Sequence, residues 1–475
     1  MGSPIRFGTD GWRGVIGDDF TFHNLRVCTQ SVANYLKRHA LASRGLVVGY
    51  DTRFASEHFA AAAAEVLAAN DIKVFLCPCP APTPVVSYGI LVANAAGAII
   101  ITASHNPALW NGFKYKPEYA GSASPEVVAE LEENIPVILQ DNSIKSVPLS
   151  RVQGHLVVDF DPAPSYLEHI SQLVDLPLLR RAGQKVAVDS MYGAGAGYLA
   201  RLLGGGSTQV VEIHSQRNPL FPGLQRPEPI TQNLGELSQL VAQDKAHVGL
   251  ATDGDADRIG IVDENGQFIT QLQVFALLAL YLLEFRHQRG ALVKSVTTTS
   301  MIHRLGELFQ VPVCETAVGF KYIGPQMLET DALIGGEESG GFGFRGHIPE
   351  RDGILAGLYF LDLMLRSGKS PSQLIDYLYQ KVGPHHYDRI DLEFPAQARE
   401  RIQQRVAERG LRGTIGDVPV KDVDTQDGFR FTLPDGSWLL IRFSGTEPLL
   451  RIYAEADSME GVRRLLAAGR ETVGL

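Results

Sequence analysis

Three times along this chain a short, unbroken apolar run of strand length is followed by a helical pattern. Residues 46–50 and 97–102 (Gly-Ala-Ile-Ile-Ile-Thr) lack the polar alternation of a half-exposed strand, so each predicts a strand buried on both faces, and 72–76 reads as a further strand between them. In chain order, helical segments at 25–39 and 57–69 precede the first two, and a further helix leads to the third. The same order returns at 185–189, before the turn Gly193-Ala194-Gly195, and at 292–296, before a helix from about residue 300. Such a chain folds into α/β layers with helices over both faces of its sheets. Beyond residue 387 the pattern changes. A strand at 389–394, an amphipathic helix at 396–408 and the hairpin signal Pro434-Asp435-Gly436 predict a smaller α+β unit.

At 475 residues the chain exceeds what one core supports, at roughly 100 to 200 residues per domain. The predicted plan is four domains around a cleft: residues 1–152, 153–262 and 263–386 as similar α/β domains, and 387–475 as the α+β domain. Joints fall in polar, Pro- or Gly-containing stretches near 140–164 and 383–389.

A formal net charge of -10, with no basic run, argues against an extended nucleic-acid surface and for a small-molecule partner. An anionic ligand would then need local Arg and Lys groups. Cys28, Cys77, Cys79 and Cys314 lack the spacing of a disulfide framework or zinc site. The first residues show no apolar signal core, and the longest apolar stretch, 272–285, is shorter than the ~20 residues a bilayer requires. The expectation is a cytoplasmic protein without a membrane partner, a monomer or weak dimer.

The strand at 98–102 runs directly into Ala103-Ser104-His105-Asn106-Pro107, so Ser104 stands at the strand end where open sheets bind ligands. A serine there serves as nucleophile, helix cap or plain loop residue. His105 and Asn106 offer hydrogen bonds, and Lys114 is a short loop away as charge neutraliser or general acid–base, or as a solvated surface lysine.

Between two apolar strands stands Asp253-Gly254-Asp255-Ala256-Asp257-Arg258. Three alternate carboxylates fold readily round one hard cation, and an all-oxygen set favours magnesium or calcium. Glu264 falls where an EF-hand would place its last ligand, but Arg258 occupies the position that loop reserves for Gly, and strands flank it. A solvated acidic turn is the other reading.

Two further loops carry polar chemistry. Gly335-Gly336-Glu337-Glu338-Ser339-Gly340-Gly341 presents groups suited to sugar hydroxyls, or is a glycine connector. Arg442-Phe443-Ser444-Gly445-Thr446-Glu447-Pro448, followed by Arg451, offers backbone N–H groups, hydroxyls and guanidinium for a phosphate, or is a simple hairpin turn.

Taken in order, these four loops resemble the α-D-phosphohexomutase superfamily, which contains phosphoglucomutase and phosphomannomutase. The resemblance implies four domains with one loop each at a central cleft. Ser104 would be the phosphoserine carrier, with its phosphoryl oxygen and Asp253, Asp255 and Asp257 as magnesium ligands. Glu337 and Ser339 would hold sugar hydroxyls, and Arg442, Ser444, Gly445, Thr446 and Arg451 the non-reacting phosphate. Arg13, in Gly8-Thr9-Asp10-Gly11-Trp12-Arg13, matches the arginine that faces the active-site phosphate. Lys114 and His105 join Ser104 as catalytic candidates, and Arg258, Lys294, Thr316, Gly319 and Lys321 as substrate contacts.

The activity implied is reversible phosphoryl transfer between the 1- and 6-hydroxyls of a hexose phosphate, with glucose 1,6-bisphosphate as intermediate and activator. Within Glu315-Thr316-Ala317-Val318-Gly319-Phe320-Lys321, Lys follows the aromatic as in phosphoglucomutases, and Gly341 stands where related mutases carry His. Glucose phosphate is therefore the expected substrate. Phosphomannomutase, phosphoglucosamine mutase and glucose 1,6-bisphosphate synthase are alternatives in the family. A metal-dependent sugar phosphatase with an aspartyl nucleophile and a non-catalytic sugar-phosphate sensor are alternatives outside it.

Overall fold

The computed structural model describes residues 5–411, 413–415, 418–444 and 449–474. Its first sheet has six strands in the order Trp12–Val15, Trp110–Pro117, Gly97–Ile101, Leu46–Tyr50, Val74–Leu76 and Val157–Asp159. The last four strands run parallel and the first two antiparallel to their neighbours. Val47, Ala98 and Ile100 turn into one core, and Val48, Ile99 and Ile101 into another on the opposite face. Both faces are covered, which is why these strands read as continuous apolar runs.

The second sheet has the order Phe268–Ile269, Ile259–Val262, Val248–Thr252, Lys185–Asp189, Gln209–Ile213. The third is Val313–Thr316, Leu292–Ser295, Ile334–Gly336, Phe342–Phe344. One apolar core runs without interruption from Val47 and Val86 through Tyr166, Val188 and Leu250 to Phe275, Ile334 and Leu358, so the three α/β domains are packed as one body. The helix Gln271–Leu280, continued by a π-helical turn Tyr281–Phe285, lies in that core with Gly353–Ser367. Its apolar length reflects burial in protein. Among the described residues no helix is long and apolar enough to cross a membrane.

The first sheet extends to residue 159 and the second to residue 269. Both edge strands are short, two or three residues, which is too brief for a periodic signal.

The C-terminal domain is an antiparallel sheet ordered His386–Glu393, Leu449–Ala456, Trp438–Phe443, Phe429–Thr432, Asp422–Asp424. Helices Arg399–Leu411 and Met459–Val473 pack on it around a separate core that includes Phe431, Ile441, Ile452 and Leu465. It meets the third domain through a small apolar cluster of Val296, Trp438, Leu440 and Tyr453. The fold is thus three α/β domains followed by an α+β domain.

Candidate active site

Ser104 follows the strand Gly97–Ile101 in a left-handed conformation, φ 52°, and is fully buried. Few non-glycine residues sit there, and such strain persists only where the surroundings hold it. Here the hold is dense. The Ser104 N–H donates to Thr102 Oγ1 at 2.8 Å, and Thr102 Oγ1 donates to Asp51 at 2.6 Å. Arg53, itself buried, donates to the carbonyls of Ser104 and Asn106 at 2.6 Å each, of Pro107 at 2.9 Å and of Trp110 at 3.0 Å. Its Nε lies 3.2 Å from Asp51. One guanidinium therefore shapes the whole serine loop.

The serine hydroxyl donates to Asp253 Oδ2 at 2.9 Å, and its oxygen is 3.3 Å from His105 Nδ1. Burial, then the cations Arg258, Arg13, Arg226 and Arg53, drive the His105 imidazole well below its ordinary range. His105 is therefore a neutral base beside the hydroxyl. Arg13 Nη1 donates to Asn106 Oδ1 at 2.6 Å, which brings the N-terminal arginine to the same loop.

The aspartate loop joins Val248–Thr252 to Ile259–Val262 and presses closely on the serine loop. A Cβ added to Gly254 would stand 2.4 Å from the Ser104 carbonyl oxygen, so this glycine is needed for the approach of two backbones. Ligand oxygens of Asp253, Asp255 and Asp257 lie within 4.8 Å of one another, all three residues being buried. Oδ1 of Asp255 and of Asp257 has no hydrogen-bond donor. Burial, then Asp257 and Asp255, push the Asp253 carboxyl well above the usual carboxylate range. An all-oxygen set with orphaned lone pairs and mutually repelling charges fits a divalent hard cation such as magnesium.

Lys114 Nζ lies 2.8 Å from Asp10, 2.8 Å from Asp255 and 3.3 Å from Asp257. Burial opposes its charge, but those carboxylates outweigh it and raise the ammonium above its ordinary value. Lys114 is thus a fixed cation among the candidate metal ligands. Arg351 extends the array, 2.6 Å from Asp10, 2.8 Å from Asp257 and 3.4 Å from Glu337. Lys116 pairs with Asp10 at 2.8 Å and with Glu350 at 2.5 Å.

Glu337 and Ser339 lie between the strands Ile334–Gly336 and Phe342–Phe344. Gly340 accepts from the Ile259 N–H at 3.0 Å, which ties this turn to the aspartate loop. Burial raises the Glu337 carboxyl despite Arg351. The Ser339 hydroxyl is buried without a partner. A Cβ on Gly341 would meet Arg351 Cδ at 2.3 Å, so a histidine at that position has no room in this packing.

The chain matches four consecutive family descriptions: Phosphoglucomutase/phosphomannomutase, alpha/beta/alpha domain I over residues 4–141, domain II over 164–266, domain III over 271–382, and the C-terminal domain over 395–471. The chain belongs to the phosphoglucomutase/phosphomannomutase family. A Thermococcus kodakarensis relative named phosphoglucomutase/phosphomannomutase is 32% identical over 98% of this chain and 97% of its own. A Methanothermobacter thermautotrophicus relative that bears the name phosphoglucosamine mutase is 31% identical, covering 97% and 96%. A solved structure from Thermus thermophilus, named as a phosphomannomutase, superposes with TM-score 0.84 at 36% identity, covering 100% of both chains.

For this phosphohexomutase-family chain the structure brings Ser104, His105, Arg13, Lys114, the three aspartates, Arg258 and Glu337 into one contiguous polar network. Arg258 reaches it through its N–H on Asp253 at 3.1 Å, while its guanidinium pairs with Glu228 at 2.9 Å. Thr316 and Gly319 lead into the helix Phe320–Thr330, and Gly319 lies close to Thr9 of the first domain. Lys321 stacks over Tyr322 at 5.4 Å. Lys294, on the strand Leu292–Ser295, pairs with Glu315, which also holds Arg430 at 2.6 Å. A lysine buried on a central strand requires such a carboxylate. Arg442 Nε pairs with Asp427 at 2.9 Å, and Arg451 Nε with Asp391 at 3.4 Å. Ser444 is buried, whereas Gly445 and Thr446 lie outside the described residues.

Arg53, Arg351, Glu350 and Lys116 were not among the expected site residues, and Asp10 entered only as a neighbour of Arg13. The one local signal was Glu350-Arg351-Asp352, a charged triplet immediately before the buried helix Gly353–Ser367.

Proposed function

We propose that this chain catalyses reversible transfer of a phosphoryl group between the 1- and 6-hydroxyls of a hexose phosphate, glucose 1-phosphate to glucose 6-phosphate, with Ser104 as carrier. The observation that carries this reading is the strained, buried Ser104 hydroxyl 2.9 Å from Asp253, at the head of a buried aspartate triad.

In the forward half-reaction the phosphoserine P–O bond breaks as a bond forms to the free sugar hydroxyl, whose proton passes to the departing serine oxygen, giving a hexose 1,6-bisphosphate and free Ser104. After the bisphosphate turns, the serine oxygen attacks its other phosphoryl group and the serine is rephosphorylated. Magnesium held by Asp253, Asp255 and Asp257 would withdraw charge from the phosphoryl oxygens. Lys114, kept charged by Asp10 and Asp255, neutralises the same oxygens. When Ser104 attacks, its proton leaves toward neutral His105 Nδ1. Glu337 and Ser339 hold sugar hydroxyls, while Arg442, Ser444 and Arg451 retain the phosphate that does not react. Glucose 1,6-bisphosphate then serves as activator by phosphorylating Ser104.

Glucose is favoured by Lys321 after Phe320 and by a packed Gly341 that admits no histidine. Mannose or glucosamine phosphate is the second reading, supported by the names of the relatives. Rates on the three sugar phosphates separate these readings. Intact-protein mass spectrometry before and after glucose 1,6-bisphosphate tests the carrier: one phosphate adduct is expected, absent in Ser104→Ala. An adduct that persists in that variant, or net phosphate release from the sugar, would sink the proposal in favour of an aspartyl phosphatase.

A further inference from the structure

Glu338 stands between the two candidate sugar ligands, Glu337 and Ser339, yet its own partners belong to the C-terminal domain. Its Oε1 accepts from the Tyr387 hydroxyl at 3.0 Å and from Arg389 Nη1 at 2.9 Å, and its Oε2 accepts from Arg389 at 3.1 Å. Arg389 Nε in turn lies 3.3 Å from Asp391, and Asp391 lies 3.4 Å from Arg451 Nε. Arg389 and Asp391 are two apart on the strand His386–Glu393 and so share a face. The ladder places Asp391 directly opposite Arg451. Alternating charges therefore run from the sugar loop to the arginine beside the phosphate loop.

We propose that Glu338 is a positioning residue which, through Arg389 and Asp391, couples the sugar loop to Arg451. Its functional consequence rests on the mutase reading; the coupling itself does not. A mutase must bind its sugar in two orientations while the far phosphate stays in one place. A sugar loop set by the phosphate loop keeps the distance between them constant in both. Each pair alone is partly exposed and weak, so the hold is that of the connected series.

The test reads amide hydrogen exchange of residues 337–341 in the full-length protein. Arg389→Met and Glu338→Gln should each speed exchange of this loop by about 2- to 5-fold. Arg451→Met, which removes no contact of the loop, should do so as well, and a Glu338→Gln/Arg389→Met pair should lose no more than either alone. Asp391→Asn, a milder break in the same series, carries the same expectation if Arg451→Met unfolds the domain. Raised KM for hexose phosphate in Glu338→Gln, with kcat less affected, is the expected kinetic companion. Unchanged loop exchange in both Arg451→Met and Asp391→Asn, or additive losses in the double variant, overturns the coupling. If the wild-type protein interconverts no hexose phosphate, the mutase reading fails, and the exchange data still decide this one.

Discussion

The Arg53 guanidinium donates to the carbonyl oxygen of Ser104 at 2.6 Å from a position with no solvent exposure, and its Nε lies against Asp51. Side-chain donors from one residue thus replace the backbone ladder that the loop after Gly97–Ile101 lacks. Replacing Arg53 by Met leaves Asp51 buried and unpaired, a change worth about 3–5 kcal/mol. Arg53→Lys keeps the charge but loses the planar fork. Arg53→Met should therefore lower denaturant stability by that amount and abolish phosphorylation of Ser104, and Arg53→Lys should fold yet phosphorylate slowly. Chemical denaturation and mass spectrometry of the two variants measure this.

Ser339 offers a sharper contrast, because its buried hydroxyl has no partner in the free protein. Removing an unsatisfied buried hydroxyl does not destabilise a fold, whereas removing a ligand's hydrogen bond costs about 1 kcal/mol or more. Ser339→Ala should melt at or above the wild-type temperature and lose roughly 5- to 10-fold in kcat/KM. A lower melting temperature with unchanged kinetics would show that the hydroxyl is structural.

Divalent cation should stabilise the protein as well as activate it. Asp253, Asp255 and Asp257 are buried together, and burial and mutual repulsion already hold the Asp253 carboxyl high. Magnesium at 100 times its dissociation constant should add about 2.7 kcal/mol. Thermal melts in chelator and in magnesium should differ for the wild type and coincide for Asp255→Asn, whose activity should fall at least about 100-fold. Equal melts of the wild type in both conditions would remove the metal from the triad.

Lys294, buried on the strand Leu292–Ser295, gives a pH signature. Burial, then Arg430, push its ammonium down to about 8, against the stabilising pull of Glu315. Below pH 8 the lysine is charged in both folded and unfolded chains, and the cost of burying that charge is fully present. As pH rises from about 8 toward the ordinary lysine value of 10.5, the unfolded chain holds the proton more tightly than the folded one, so this group's contribution to stability rises. The stability difference between wild type and Lys294→Met should therefore shift in favour of the wild type across that window. Melting both proteins from pH 7 to 10.5 checks the sign.

Much of the fold could be read ahead of the structure for one physical reason. Strands such as Gly97–Ile101 and Val248–Thr252 are buried on both faces and so read as nearly continuous apolar runs. The loops that follow them are contiguous, so Ser104 and the three aspartates stood out as candidates by position and alternation, and the resemblance of the four loops supplied the roles. What stayed hidden was pairing across distance. Arg351 meets Asp10 from 341 residues away, and nothing local to either residue encodes that contact. The pairing of Lys294 was hidden for the same reason, since its partner Glu315 lies on the neighbouring strand Val313–Thr316. The edge strands Val157–Asp159 and Phe268–Ile269 were too short to leave a period.

The ion pairs of Lys114 and Lys116 also constrain the order in which the protein can be made. Both lysines lie on the strand Trp110–Pro117 and are buried, but only Asp10 among their acidic partners precedes them in the chain. Asp255, Asp257 and Glu350 emerge from the ribosome far later. A nascent first domain thus carries two ammonium groups with a single carboxylate between them, and cannot enclose them until the third domain arrives. Fragments ending before Glu350 should stay open at this strand and fall prey to proteases there.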